Sequence, residues 1–251
     1  MLSPLKSQKV LSQRIHPGKH LVLALSGGLD SVVLLDLLAS LQPALRFRLS
    51  AMHVNHQLSP HAGDWADFCS MLCEHYAVPL EVSTVTVPFR PGDSLEEAAR
   101  TVRHKALDSS TADFIVLAHH LDDQAETLLL QLLRGCGVAG ASAMAEQNGR
   151  QLRPLLDISR SRLAQYARKR ELRWVDDESN LDIRFDRNFL RHRILPVLSE
   201  RFPSYRETFL RASRNFSESS QLLEELASHD AASAIHETKL SVQALARLSF
   251  P

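Results

Sequence analysis

The sequence predicts an α/β protein: a doubly wound, mostly parallel five-stranded sheet with helices on both faces, followed by a helical C-terminal extension. Three observations lead there. Short apolar runs of strand length alternate with stretches of helical periodicity as far as residue 133, the order that builds a parallel sheet covered on both sides. The 251 residues suffice for one large α/β domain and an appendage, or for two modest domains. Hydrophobic residues make up 44% and charged residues 23%, which excludes a disordered chain, a collagen and a disulfide-stapled miniprotein.

The elements follow in order. Leu21-Val-Leu-Ala-Leu25 is read as a buried strand and Val32–Leu38 as the helix after it. Leu49–Val54 gives a second strand. Ala62–Tyr76 gives a helix with Trp65, Phe68, Met71 and Leu72 as its apolar positions. Leu80–Val87, alternating with β-branched residues, gives a third strand. Ser94-Leu-Glu-Glu97 has the form of a capping box and opens a helix to about Leu107. Phe114–Ala118 is a fourth strand and Asp123–Leu133 a helix. Beyond Arg134 the pattern changes, and Gly135, Gly137 and Gly140 mark an irregular loop. Ser159 is placed to cap a basic helix running to about Arg170. Asp176–Asn180 is a polar loop, Asp186–Leu195 a short helix ended by Pro196, and Ser204–Ala227 a long helix. Ala231–Pro251 is helix-like.

Compartment and charge narrow the classes. No run reaches the roughly 18 apolar residues of a membrane span, and Met1–Lys19 lacks the apolar core of a secretory signal. The three cysteines, Cys69, Cys73 and Cys136, cannot all pair and suit a reducing cytoplasm. The net charge is zero, from 29 basic and 29 acidic residues. Between Arg134 and Arg214, however, 17 basic residues face 10 acidic ones, a local net of +7. Nearly all are arginine, whose planar fork matches phosphate geometry, so this segment points to a phosphate-rich partner as well as to a solvated helical surface.

The most informative segment is Ser26-Gly-Gly-Leu-Asp-Ser31, between the first strand and the first helix. Two glycines let the backbone come close to an anion, and the helix N-terminus adds partial positive charge. Ser26 and Ser31 add hydroxyl donors. The loop lacks the Gly-Lys-Ser/Thr of a Walker loop and the third glycine of a dinucleotide fingerprint.

Instead, the segment resembles the Ser-Gly-Gly-x-Asp-Ser loop of the PP-loop ATP pyrophosphatases. The ordered set that follows narrows the resemblance: Ala118-His-His-Leu-Asp-Asp-Gln-Ala-Glu-Thr127, Arg134-Gly-Cys-Gly-Val-Ala-Gly140, Arg153-Pro-Leu-Leu156, Asp177-Glu-Ser-Asn180 and Arg187-Asn-Phe-Leu-Arg191. From about Leu21 to Pro196 the chain is similar to the tRNA(Ile)-lysidine synthetases of that superfamily. The resemblance implies a cytoplasmic ligase. ATP adenylates the C2 carbonyl oxygen of the wobble cytidine in a tRNA(Ile) with a CAU anticodon. L-lysine then displaces AMP. The implied partners are that tRNA and lysine, with no membrane; a homodimer is allowed. Residues 1–200 would form the catalytic domain, and residues 201–251 a helical linker and the start of a second, truncated domain.

The resemblance also implies site residues. Ser26, Gly27, Gly28, Leu29, Asp30 and Ser31 would hold ATP, with Asp30 and Asp123 on Mg²⁺. Asp123 and Glu126 share a helix face; their spacing alone is an ordinary capping arrangement, and the resemblance assigns them to lysine and metal handling. An amine nucleophile must be neutral, so carboxylates are needed to bind the cation and accept its proton. His119 would contact the activated centre. His53 and His56 have metal-like spacing without a completing Cys/His set, and are read as nucleotide-pocket lining. One of Arg100 and Arg103 would reach a phosphate or the adenylate. Arg134, Arg187, Asn188 and Arg191 would bind tRNA, although an ion pair with Asp176, Asp177 or Glu178 is an equally ordinary fate for the last two arginines. Two alternatives remain in view: a tRNA thiolase of the same superfamily, disfavoured by the lack of paired cysteines, and a non-catalytic ATP-binding module.

Overall fold

The computed structural model describes residues 10–88, 95–236 and 239–246. Ser94, the proposed cap of the third helix, and Leu248–Pro251 lie outside the described residues. The sheet has six strands in the order β3-β2-β1-β4-β6-β5. They are β1 (His20–Ala24), β2 (Arg48–Asn55), β3 (Leu80–Thr84), β4 (Phe114–Val116), β5 (Gln147–Asn148) and β6 (Gln151–Leu152). Five run parallel, as expected, and β5 adds a short antiparallel edge. With two residues each, β5 and β6 are too short to show any period in the sequence.

Helix α1 (Leu29–Leu45) follows β1, α2 (Ala62–His75) follows β2, α3 (Leu95–Asp108) follows β3 and α4 (Leu121–Leu133) follows β4. The strand alternation sets the two faces. Leu21, Leu23 and Leu25 pack with Val33, Leu37 and Cys69 of α1 and α2. Val22, between them in sequence, joins Met52, Ile115 and Leu107 of α3 on the opposite face. From β1 the chain crosses to β2, whereas from β4 it crosses to β6, on the other side. The loops after β1 and β4 therefore diverge, and the crevice between them is where an open α/β sheet binds ligands.

Beyond β4 the chain forms α5 (Val138–Ala141), the β5–β6 hairpin and α6 (Arg160–Lys169). Next come α7 (Asp186–Phe189), a π turn (Leu190–Ile194), α8 (Leu195–Arg201) and α9 (Tyr205–Ala234). Pro196 was expected to end a helix; it stands in the first turn of α8, where its missing N–H leaves no bond unmade. Helix α9 runs past Ala227, and Ile235–His236 pair with Lys239–Leu240 as a small hairpin (β7 and β8) where the sequence reads as helix. The start of α9 packs on α4 through Ala125, Leu129, Tyr205 and Phe209. Among the described residues, no helix is long and apolar enough to cross a membrane.

Asp36, 1% exposed, ties three helices together. It accepts hydrogen bonds from Tyr76 of the α2 terminus (2.9 Å), Tyr166 of α6 (2.6 Å) and Arg170 (2.9 and 3.2 Å). Burial pushes its carboxyl up, but the bonds from Arg170, Tyr166 and Tyr76 together hold it below the ordinary value. The folded pKa is thus lower than the unfolded value of about 3.9. The resulting stability is present above that value and is lost as pH falls through the folded one. Replacing Asp36 by Ala strands two half-buried hydroxyls and is expected to cost about 2–3 kcal/mol. Urea unfolding at pH 7 and pH 3 checks this: the gap between wild type and variant narrows at the lower pH.

Candidate active site

Gly27 has φ +83, and its carbonyl accepts from the Val175 amide at 3.0 Å. A Cβ there would stand 3.0 Å from Val175 Cγ2 and 3.2 Å from Cys69 Sγ. Space and backbone conformation both select glycine. Gly28 caps α1 without a side-chain acceptor, so the first-turn amides keep their capacity for an anion. Ser26 Oγ lies 3.1 Å from Ser31 Oγ, and Ser31 Oγ donates to the Gly28 carbonyl at 2.9 Å. These bonds tie the loop to the first turn of α1.

Asp30, in the first turn of α1, faces the loop after β4. His120 Nε2 is 3.5 Å from its Oδ2 and Arg160 Nε 3.8 Å. Its Oδ1 is buried with no hydrogen-bond partner. His120 is the N-cap of α4 and forms a capping box with Asp123: the His120 amide donates to Asp123 Oδ2 at 3.0 Å, and the Asp123 amide reaches His120 Nδ1 at 3.3 Å. Nδ1 is also 3.4 Å from Asp123 Oδ2. A neutral ring accepts from the amide; a protonated ring donates to the carboxylate. Burial opposes charge on this ring, but Asp123, Asp30 and Asp122 outweigh it and raise its pKa to about 9. Imidazolium is therefore the form at neutral pH.

One turn on, Glu126 is fully buried. Arg191 of the π turn grips it with both arms, Nε to Oε1 at 2.7 Å and Nη2 to Oε2 at 2.8 Å, and reaches Asp123 Oδ1 at 3.5 Å. Burial lifts the Glu126 carboxyl above its usual range despite this pairing. Asp123 thus caps the helix and also faces the crevice cations. The partners of Arg191 are Glu126 and Asp123, not the Asp176–Glu178 run that the sequence offered.

His119 points to different surroundings. Its Nδ1 is buried without a partner. Burial, then the charges of Arg153, Arg103, Arg187 and Arg100, hold it well below the usual histidine value. The ring is neutral, and both Arg100 and Arg103 bear on it. His53 is buried, with Nδ1 donating to the Leu25 carbonyl at 2.9 Å, and burial lowers its pKa. His56 keeps a buried, unpartnered Nδ1.

The remaining candidates lie apart from the loop. Arg134 is exposed and 3.7 Å from Asp186. Arg187 donates to Thr127 at 3.2 Å. Asn188 is buried and spends its amide on the carbonyls of Ser179 (2.8 Å) and Asp182 (3.0 Å), so it clamps a turn instead of displaying a donor.

Sequence reasoning gave no role to His120, Asp122, Arg153, Arg160 or Arg206. Asp122 accepts the Arg160 amide at 2.8 Å and the Arg206 guanidinium, joining α4, α6 and α9. Ser159, the expected cap of α6, makes no capping bond; Asp122 supplies the acceptor. Arg153 is buried and donates to the Ala145 carbonyl and to Gln151. His120 and Asp122 carried a signal, since they stand just before Asp123 at a helix start, and Arg153 opens the Arg153-Pro-Leu-Leu156 motif.

A small hard cation fits this chemistry. Among the described residues no three ligating side chains assemble by themselves. The unpartnered Asp30 Oδ1 suits a cation held by one carboxylate plus a ligand's own oxygens, and Asp123 stands across the His120 ring from it.

The PP-loop domain family matches residues 4–198. A protein of Nitrosomonas europaea named tRNA(Ile)-lysidine synthase is 46% identical over 245 residues, covering 95% of this chain and 54% of that protein. One of the same name from Azoarcus sp. is 48% identical over 222 residues, covering 86% and 50%. The chain spans about half the length of these relatives. The fold is that of a solved U34-tRNA thiolase from Methanococcus maripaludis, which matches with a TM-score of 0.74 at 19% identity over 86% of this chain and 77% of that one.

Proposed function

The chain belongs to the PP-loop domain family, and from that premise we propose that it carries the catalytic unit of a tRNA(Ile)-lysidine synthetase, acting in the cytoplasm on ATP, L-lysine and tRNA(Ile) with a CAU anticodon. On this reading residues 1–200 are the ATP-pyrophosphatase domain, and residues 201–251 a helical linker and the start of a second domain. The observation that carries this reading is the meeting of the Gly27–Gly28 loop with Asp30, His120, Asp123 and Glu126 across the β1–β4 crevice. The names of the relatives support the choice of tRNA and lysine.

The Ser26–Ser31 amides and hydroxyls receive the ATP phosphates. Mg²⁺, held by Asp30 and Asp123, supplies charge neutralisation when bound. The cytidine O2 attacks the α-phosphorus, the bond to the bridging oxygen breaks, and its electron pair leaves with pyrophosphate. Adenylation turns a poor leaving oxygen into a good one. Neutral His119 faces the base without adding charge to a site rich in arginine. Asp123 and Glu126 bind the lysine amine, which requires Arg191 to release one oxygen of the buried Glu126. Burial, by raising Glu126, makes it a better proton acceptor than an ordinary glutamate. The nitrogen then bonds to C2, AMP departs with the oxygen, and the amine proton goes to the carboxylate. The arginine-rich surface, with exposed Arg134, receives the tRNA phosphates.

A sulfur-inserting enzyme needs an accessible thiolate. Cys69 and Cys73 are buried, and burial raises their pKa values to about 12 and about 11. The test of the lysidine reading is mass analysis of tRNA(Ile) after incubation with ATP and lysine. One lysine added per tRNA, less one water, supports it; unchanged or sulfur-bearing tRNA refutes it.

A further inference from the structure

Two guanidinium groups face the carboxylates of the crevice, and they are held very differently. Arg191 makes two short bonds to Glu126 and is committed there. Among the described residues the Arg160 guanidinium has one long contact, 3.8 Å to Asp30 Oδ2, and its side chain is 52% exposed. Its backbone, by contrast, is pinned: the amide donates to Asp122 at 2.8 Å, and Asp122 is itself gripped by Arg206. Arg160 is therefore a weakly tethered cation on a fixed base. Asp30, which it faces, stands two residues beyond Gly28, so a phosphate chain on the loop lies within its reach.

We propose that Arg160 is a catalytic residue that binds the β- and γ-phosphates of ATP and takes up the charge that develops on departing pyrophosphate; this rests on the adenylation reading above. Asp30 is the anion beside it, at a distance too long for a firm bond. Phosphate oxygens offer denser negative charge, and arginine meets them with two parallel N–H donors. The N-terminal amide of α6 is already taken by Asp122, so the side chain and not the helix end does the binding. As the cytidine O2 bonds to the α-phosphorus and the bridging bond breaks, the electron pair settles on pyrophosphate. The guanidinium stabilises it there without any proton transfer.

The test compares wild type, Arg160→Gln and Arg160→Lys. The readouts are equilibrium binding of ATP, AMP and inorganic pyrophosphate with Mg²⁺, and rapid-quench pyrophosphate release in the presence of tRNA. Arg160→Gln is expected to weaken ATP and pyrophosphate at least about tenfold, to leave AMP within about twofold, and to slow release about 10²-fold. Arg160→Lys should recover part of each loss. A Gln variant that binds pyrophosphate and releases it as wild type does would overturn the assignment while leaving the functional reading intact. So would a variant that loses AMP and pyrophosphate binding together, since that marks a structural role. Wild-type protein that binds neither ATP nor pyrophosphate would overturn both.

Discussion

Asp30→Asn is expected to abolish pyrophosphate release, by about 10³-fold, while the protein stays folded. The reason is the asymmetry of its carboxylate. Oδ2 has two distant cations, at 3.5 and 3.8 Å, and buried Oδ1 has no partner. A group placed there for stability would be hydrogen-bonded, as Asp36 is. Asn keeps the shape and the long contacts but removes the charge that balances His120, Arg160 and a phosphate-bound cation. Losing one preorganised charge at such a centre costs about 10²–10³ in rate, and weaker nucleotide binding adds to it. The thermal midpoint should move little. Rapid-quench assays with tRNA and ATP read the rate. Release near the wild-type rate would show that Asp30 is not at the phosphates.

Glu126 is the second large effect, and here stability and chemistry separate. Glu126→Ala leaves Arg191 facing a buried void with only the 3.5 Å contact to Asp123. Breaking a buried ion pair from one side costs about 3–5 kcal/mol. Arg191 keeps 29% of its side chain exposed, which places the loss near the lower end. At about 2–4 °C per kcal/mol for a domain of this size, the midpoint should fall by roughly 10 °C. Glu126→Gln keeps an acceptor for Arg191 and should lose less stability. It removes the base, however, so lysine transfer should fail while part of the adenylation survives. Pyrophosphate release without a mass gain on the tRNA is the expected signature. Loss of pyrophosphate release in Glu126→Gln, with Asp30→Asn still releasing it, would reverse the roles assigned to Glu126 and Asp30.

Much of the scaffold was legible because strand-length apolar runs and helical stretches are local signals. Leu21–Leu25, Leu49–Val54 and Phe114–Ala118 announce three adjacent parallel strands. The Gly27–Gly28 turn announces its own left-handed residue. What was not legible depends on contacts between residues far apart in sequence. The Arg191 side chain crosses to Glu126 from 65 residues away, and Arg160 leans on Asp30 from the start of a helix that follows β6. The sequence offered Arg191 a nearer acidic run, and local charge proximity was the wrong guide. Asn188 had two open readings, a backbone donor or a base-edge donor, and it donates to two carbonyls of its own loop. His120 hid behind its neighbour, since only the cap geometry tells which of two adjacent histidines points at Asp30.

The most direct measurement is a crystal structure of the protein with Mg²⁺ and an ATP analogue whose α–β bridge resists cleavage. Its phosphates are expected on the Ser26–Ser31 amides, with Arg160 swung from Asp30 onto the terminal pair. The α-phosphorus should open toward His119 and Asp123. Triphosphate density elsewhere on the sheet, or a bare glycine turn in fully occupied crystals, would contradict the account.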